Sequence, residues 1–206
     1  MARARARRKA PPADRSPEAR LIDAALTLAA RQGWRRTSLA EIANEAGLKL
    51  HEAYALHRSK GAILLAFTRR IDAAVLAGAD ATGDSARERL FDTLMRRFDA
   101  LKPYKDGVRA ILRDSVGHPA ALLALPVLRR SMAWMLEASG ISTAGCRGRL
   151  VADGTAALYL SVLRVFLADD SEDLGRTMAA LDRALRRAEG LCRFVPTARR
   201  EAPRAA

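Results

Sequence analysis

Three histidines and two cysteines are the residues of this 206-residue sequence best suited to nucleophilic or metal chemistry, and their spacing supports neither. Cys146 and Cys192 stand far apart with no Cys-x-x-Cys pair, and His51, His57 and His118 add no ligand spacing to them. Two reduced thiols, no metal and no cofactor are the expectation. The sequence contains no G-x-S-x-G, no G-x-x-x-x-G-K-[ST] and no H-E-x-x-H, so the common hydrolase, phosphate-loop and zinc-protease signatures are missing. His118-Pro119 reads as a helix terminator. The run Asp169-Asp170-Ser171-Glu172-Asp173 has the composition of a cation site, but acids at a helix start more often complement its dipole. An enzyme is not expected.

Basic residues are the chemistry that remains. Lys and Arg number 36 against 23 Asp and Glu, a formal net charge of +13. Much of the excess sits at the two ends. Arg3, Arg5, Arg7, Arg8, Lys9 and Arg15 face only Asp14 near the start, and Arg193, Arg199, Arg200 and Arg204 face only Glu201 near the finish. Basic arms on a small domain suit a polyanion, because each cation docked on a phosphate releases condensed counterions. Tails that merely keep the chain soluble are the competing reading.

These cations need a scaffold, and helix is the only element that the pattern offers. Ser16-Pro17-Glu18 is a helix start with N-cap, N1 proline and first-turn acid. Leu21, Ile22, Ala25, Leu26 and Ala29 follow at helical spacing, and Gly33 closes the segment. Ser38-Leu39-Ala40-Glu41 is a capping box that opens a short helix, which Gly47 stops. A second short helix is predicted from about Lys49 to His57. Ser59-Lys60 begins a long one with Ile63, Phe67, Ile71, Ala74 and Val75 on one stripe. Two short helices joined by Glu45-Ala46-Gly47-Leu48 have the helix-turn-helix arrangement.

The remainder is also helical. After a break at Gly83, Ser85-x-x-Glu88 is a second capping box ahead of Leu90, Phe91, Leu94, Phe98 and Leu101, and Lys102-Pro103 ends that helix. A shorter helix carries Val108, Ile111, Leu112 and Val116 and stops at Gly117-His118-Pro119. Residues 120–138 form one that Pro126 starts or kinks, and residues 140–148 a break. Helices of about 149–167 and 172–190 follow, the last with Leu174, Met178, Leu181 and Leu185 on one face. No strand-period segment appears.

The fold class is therefore all-α: a three-helix helix-turn-helix domain followed by a helical bundle. The expected organisation is a disordered basic arm at 1–15, a helix-turn-helix domain at 16–60, a helical domain at 61–190 and a flexible basic tail at 191–206. No apolar run reaches the roughly 18 residues of a membrane span, and Met1–Lys9 lacks the apolar stretch of a secretory signal. A cytoplasmic protein without an integral membrane segment is expected.

Residues 17–80 resemble the TetR family of transcriptional regulators. The resemblance rests on Thr37-Ser38-Leu39-Ala40-Glu41-Ile42-Ala43, Glu45-Ala46-Gly47-Leu48, Tyr54, Ser59-Lys60 and Leu64-Leu65. It implies double-stranded DNA as partner, read by a homodimer on a palindromic operator and released by a small hydrophobic ligand. For the domains, it implies DNA binding by 16–60 and ligand binding and dimerisation by 61–190. It further implies that Thr37 and Ser38 are DNA-binding residues, with Ser38 on a phosphate as well as capping the second helix. Lys49, Leu50 and His51 would enter the major groove, with Tyr54 and Lys60 at phosphates. Three positions differ from the family pattern: Lys49 in place of a capping Ser, His57 in place of an aromatic, and Gly61 in place of Glu.

A second, patchier resemblance covers residues 87–187. Residues Val165–Leu174, Thr177 and Leu181–Leu185 are similar to the TetR-fold lipid-binding accessory proteins of ubiquinone biosynthesis, as are Arg89-Leu90, Arg96-Arg97 and Leu101–Tyr104. It implies an isoprenoid carrier without a DNA-binding role as the alternative. Under either resemblance a pocket would be lined by Phe91, Leu94, Met95, Phe98, Met132, Trp134, Met135 and Phe166; a filled core uses the same residues equally well. The family dimerises through its last two helices, to which the Leu174–Leu185 stripe would contribute.

Overall fold

The computed structural model describes residues 16–78, 85–115 and 124–193, with side chains described as far as residue 190. The basic arm before Ser16, the tail after Arg193, the break at Gly83, Val116 and Gly117-His118-Pro119 lie outside the described residues. Among those described, every regular element is a helix.

Four hydroxyls set four helix starts. Ser16 accepts from the Ala19 amide (3.2 Å) and opens α1 (Pro17–Gln32). Ser38 and Glu41 exchange hydrogen bonds at the start of α2 (Leu39–Glu45). The Ser59 hydroxyl accepts from Ala62 and opens α4 (Lys60–Ala77), and Ser85 pairs with Glu88 to open α5 (Ala86–Leu101). Each bond satisfies an amide that the first helical turn leaves without a partner. Between α2 and α4 lies α3 (Leu50–Leu56), reached through Gly47 at φ +67°. A Cβ at that φ clashes with its own backbone, so glycine is what lets the turn close in four residues.

α5 ends at Leu101, where Lys102-Pro103 was expected to end it. A single 3-10 turn (Lys102–Tyr104) leads directly into α6 (Lys105–Ser115). Next comes α7 (Ala124–Ala138), where Pro126 is the third residue, inside the first turn, where proline starts a helix without breaking a bond. The expected break at 140–148 is shorter than its composition suggested, because α8 (Gly145–Ala168) begins at Gly145. The last helix, α9 (Gly175–Arg193), begins three residues later than expected.

Packing follows the apolar faces. α1 lies chiefly on α6 and α2, α4 on α5 and α7, and α8 between α7 and α9. By length and composition α8 is apolar enough to cross a membrane, with mean hydropathy 1.6. The apolar run is not continuous, because Arg149, Asp153 and Arg164 interrupt it. Here its buried side includes Ala152, Tyr159, Val162, Leu163 and Phe166, all within the core. At the α1–α6 crossing a Cβ on Gly107 would lie 2.7 Å from the Leu26 carbonyl oxygen, so only glycine permits that approach.

The body has an aromatic centre. The Phe98 ring packs between Tyr159 and Phe166, with centroids at 5.2 and 5.1 Å. Beside it the buried Arg97 guanidinium pairs with Asp72 of α4, which also accepts from the Ser131 hydroxyl of α7 at 2.7 Å, and it lies over the Tyr159 ring. Four helices thus meet at one buried charge pair.

Two expected stripes change. Ala74 is exposed, so the inner face of α4 is Ile63, Phe67, Ile71 and Val75. On α9 Met178 is 43% exposed, and Thr177 takes the inner position with Leu181 and Leu185. Leu174 is buried but precedes the helix at φ +53°, so counting the helical period from it shifts the phase.

Candidate nucleic-acid interface

The two short helices form a head whose outer surface is α3. Only Ala53 of that helix is buried. Leu50 is 56% exposed, Tyr54 59% and Leu56 37%, and His51 is exposed beside them. Lys49 precedes the helix with its side chain in solvent, and the Glu52 carboxylate accepts from its backbone amide at 2.6 Å. That contact supplies half of a capping box, so the absence of a serine at the cap is partly made good. The Arg58 guanidinium lies 5.7 Å from the Tyr54 ring centroid. Lys49, Leu50, His51 and Tyr54 are therefore brought together on one exposed, basic-flanked surface.

Thr37, Ser38 and Lys60 sit differently. The Thr37 side chain is buried and its hydroxyl donates to the Gly33 carbonyl at 2.8 Å. Ser38 is exposed at the start of α2, where its hydroxyl also donates to Glu41. These bonds, the Ser38 amide's first, hold the Glu41 carboxyl below its usual range. The Lys60 ammonium turns inward, donating to the carbonyls of Trp34 (2.6 Å) and Thr37 (2.7 Å) and sitting 4.5 Å from the Trp34 ring centroid. Burial lowers its pKa, against the attraction of Asp114 and Glu41. Lys60 thus ties the start of α4 to the turn that positions Ser38 and α2.

Other braces escape sequence reasoning. Arg20 of α1 donates to the Ala46 carbonyl at 3.2 Å and supports the turn between α2 and α3. Asp114 of α6 accepts from the Arg35 amide at 3.1 Å, which lowers its pKa. The partners lie 26 and 79 residues apart, and no local pattern marks such pairs. His57 is mostly buried, with Nε2 3.0 Å from a Glu18 carboxylate oxygen. A recess of about 280 Å³ lies under α3, lined by Leu39, Ala40, Leu50, Tyr54, His57 and Ile63 among others.

In the body, the expected pocket residues divide. Leu94, Phe98, Met132, Met135 and Phe166 are fully buried in one cluster, and Phe91 and Met95 are half-buried against it. Trp134 is 56% exposed. It lies on the outer side of α7, since Met132 and Met135 take the inner one, and it does not line this cluster. The acidic run is a fastening: Asp169 is buried and accepts from the amides and hydroxyls of Ser171 and Thr177. Lys105 of α6 donates to the Asp169 carbonyl and to the Asp170 carboxylate. Cys146 is a free, exposed thiol.

Residues 21–67 match the family described as bacterial regulatory proteins, tetR family. Solved structures with the same fold include a TetR transcriptional regulator from Nitrosomonas europaea ATCC 19718, at 25% identity and TM-score 0.69, covering 84% of this chain and 98% of that one. A TetR transcriptional regulator from Rhodococcus sp. RHA1 aligns at 20% identity and TM-score 0.58, over 82% and 95% of the two chains. A tetR-family regulator from Streptomyces coelicolor aligns at 20% identity and TM-score 0.55, over 84% of each. No curated protein matches the sequence.

Proposed function

We propose that this chain is a TetR-family transcriptional regulator that binds a palindromic operator as a homodimer through α3, a reading supported by the family match over residues 21–67 and by the shared fold. The observation that carries the reading is the outward face of α3, where Lys49, Leu50, His51 and Tyr54 are exposed together while Ala53 anchors the helix from behind. A seven-residue helix fits the major groove, and Lys and His donate to base or phosphate acceptors. One such helix reads only a half-site, so a two-fold pair of chains suits a palindrome. Ser38 and Tyr54 contact phosphates. Thr37 and Lys60 act through placement instead, since their polar atoms hold the turn ahead of α2.

Release by a small hydrophobic ligand completes the proposal. Such a ligand enters beside the half-buried Phe91 and Met95, because Phe98 is enclosed by Tyr159 and Phe166. No observation favours the isoprenoid-carrier alternative.

The test is selection of an operator from a random duplex library, followed by titration at ~150 mM salt. Lys49→Ala or His51→Ala lowers discrimination against mismatched sites by roughly 5- to 150-fold if each makes a base contact. Lys60→Ala weakens binding without changing the salt slope; a slope lower by about one unit returns it to the phosphates. Enrichment of no sequence over random duplex defeats the reading.

A further inference from the structure

Leu50 has no evident reason, within the protein, to be where it is. It is the first residue of α3 and more than half exposed, yet it carries no donor or acceptor. Among the described residues, α7 holds two large exposed apolar side chains and α8 and α9 one each, whereas the seven residues of α3 hold three: Leu50, Tyr54 and Leu56. Leu50 borders the recess that Leu39 and Ala40 of α2 line from the other side. The surroundings are basic. Arg35 and Arg36 precede α2, Lys49 precedes α3 and Arg58 follows it, all exposed. The nearby carboxylates are engaged, Glu41 at Ser38, Glu52 at the Lys49 amide and Glu45 with Arg31. An apolar spot on a helix flanked by exposed cations suits a polyanion that offers one apolar group.

Duplex DNA has such a group. On the major-groove edge guanine, adenine and cytosine present polar atoms, whereas thymine adds a C5 methyl. The N-terminal residues of a recognition helix are the ones that meet base edges. Building on the regulator reading above, we propose that Leu50 reads the 5-methyl group of a thymine in each half-site, with Leu39 and Ala40 completing the apolar surface that receives it.

The experiment uses the full chain and its selected operator, with each thymine replaced singly by deoxyuridine. Uracil keeps every hydrogen bond and loses only the methyl. At one thymine per half-site the replacement weakens wild-type binding about fourfold, the value of one buried methyl group. Leu50→Ala, whose melting temperature stays unchanged because the side chain is exposed, binds thymine and uracil duplexes equally. Indifference of the wild type at every thymine overturns the proposal, as does a full uracil penalty that persists in Leu50→Ala. So does a change of oligomeric state in DNA-free Leu50→Ala, which would make this surface a contact between protein chains. Failure to select any operator removes the regulator reading along with this one, whereas an operator without uracil sensitivity removes this one alone.

Discussion

Asp169 concentrates several tasks in one side chain. Its carboxylate is buried where α8 ends and collects four hydrogen bonds from Ser171 and Thr177, so it fixes the entry of α9. Burial alone would raise its pKa, but those donors hold it far below the usual carboxylate value. A depressed native pKa means that the stabilisation is complete above the unfolded-state value near 3.9 and fades as pH falls through the native one. The urea midpoint of the wild type therefore drops on acidification below about pH 4, and Asp169→Asn flattens part of that drop; an identical acid limb in the variant assigns it to other groups. The sequence marked residues 169–173 as a helix-start cluster but not which acid is buried, because Thr177 reaches Asp169 only once α9 turns back over α8. Lys60 shows the same limit. Its position is legible as a helix start, but whether the ammonium faces solvent or the Trp34 and Thr37 carbonyls depends on contacts more than 20 residues away. The Arg97–Asp72 pair was unforeseeable for the same reason, since its members lie on separate helices.

Helices are where the sequence is most legible, because caps and periodicity are local. Ser16, Ser38, Ser59 and Ser85 mark starts correctly, as each hydroxyl bonds an amide three residues on. Where no such residue stands, as ahead of α8 at Ala144, the boundary was misplaced by several residues. Glycines within helices separate by what a methyl group would meet. Gly154 of α8 is exposed with open space around its Cβ direction, so Gly154→Ala raises stability by about 0.5–1 kcal/mol through reduced chain entropy. Gly107→Ala does the opposite, since its Cβ would press on the Leu26 carbonyl oxygen and side chain. Overpacking of that kind costs about 1–3 kcal/mol. Paired urea titrations check both signs, and a neutral Gly107→Ala would mean that α1 and α6 separate without cost.

For the whole molecule, the proposed homodimer calls for apolar surface that the single chain leaves uncovered. Leu181 is fully buried within the protomer, whereas Met178 and Leu150 are 43% and 67% exposed on α9 and α8. Met178→Glu and Leu150→Glu are thus expected to yield folded monomers in sedimentation, and Leu181→Glu to unfold the chain. Folded dimers from the first two variants would place the seam elsewhere. The two-part plan of head and bundle was legible from the spacing of caps and glycines, but not how the parts join. α4 begins at Lys60 and carries the chain from the head straight into the bundle, α1 rests on α6 at Gly107, and Asp114 reaches back to the turn after α1. That join bears on protein engineering. A chimaera that transplants residues 16–60 onto a foreign sensor would leave the inner side of α1 without its partner, however well the loop at the cut is chosen. The transferable cassette is discontinuous in sequence: the reading head together with a recipient helix that supplies a glycine and a carboxylate at the spacing of Gly107 and Asp114.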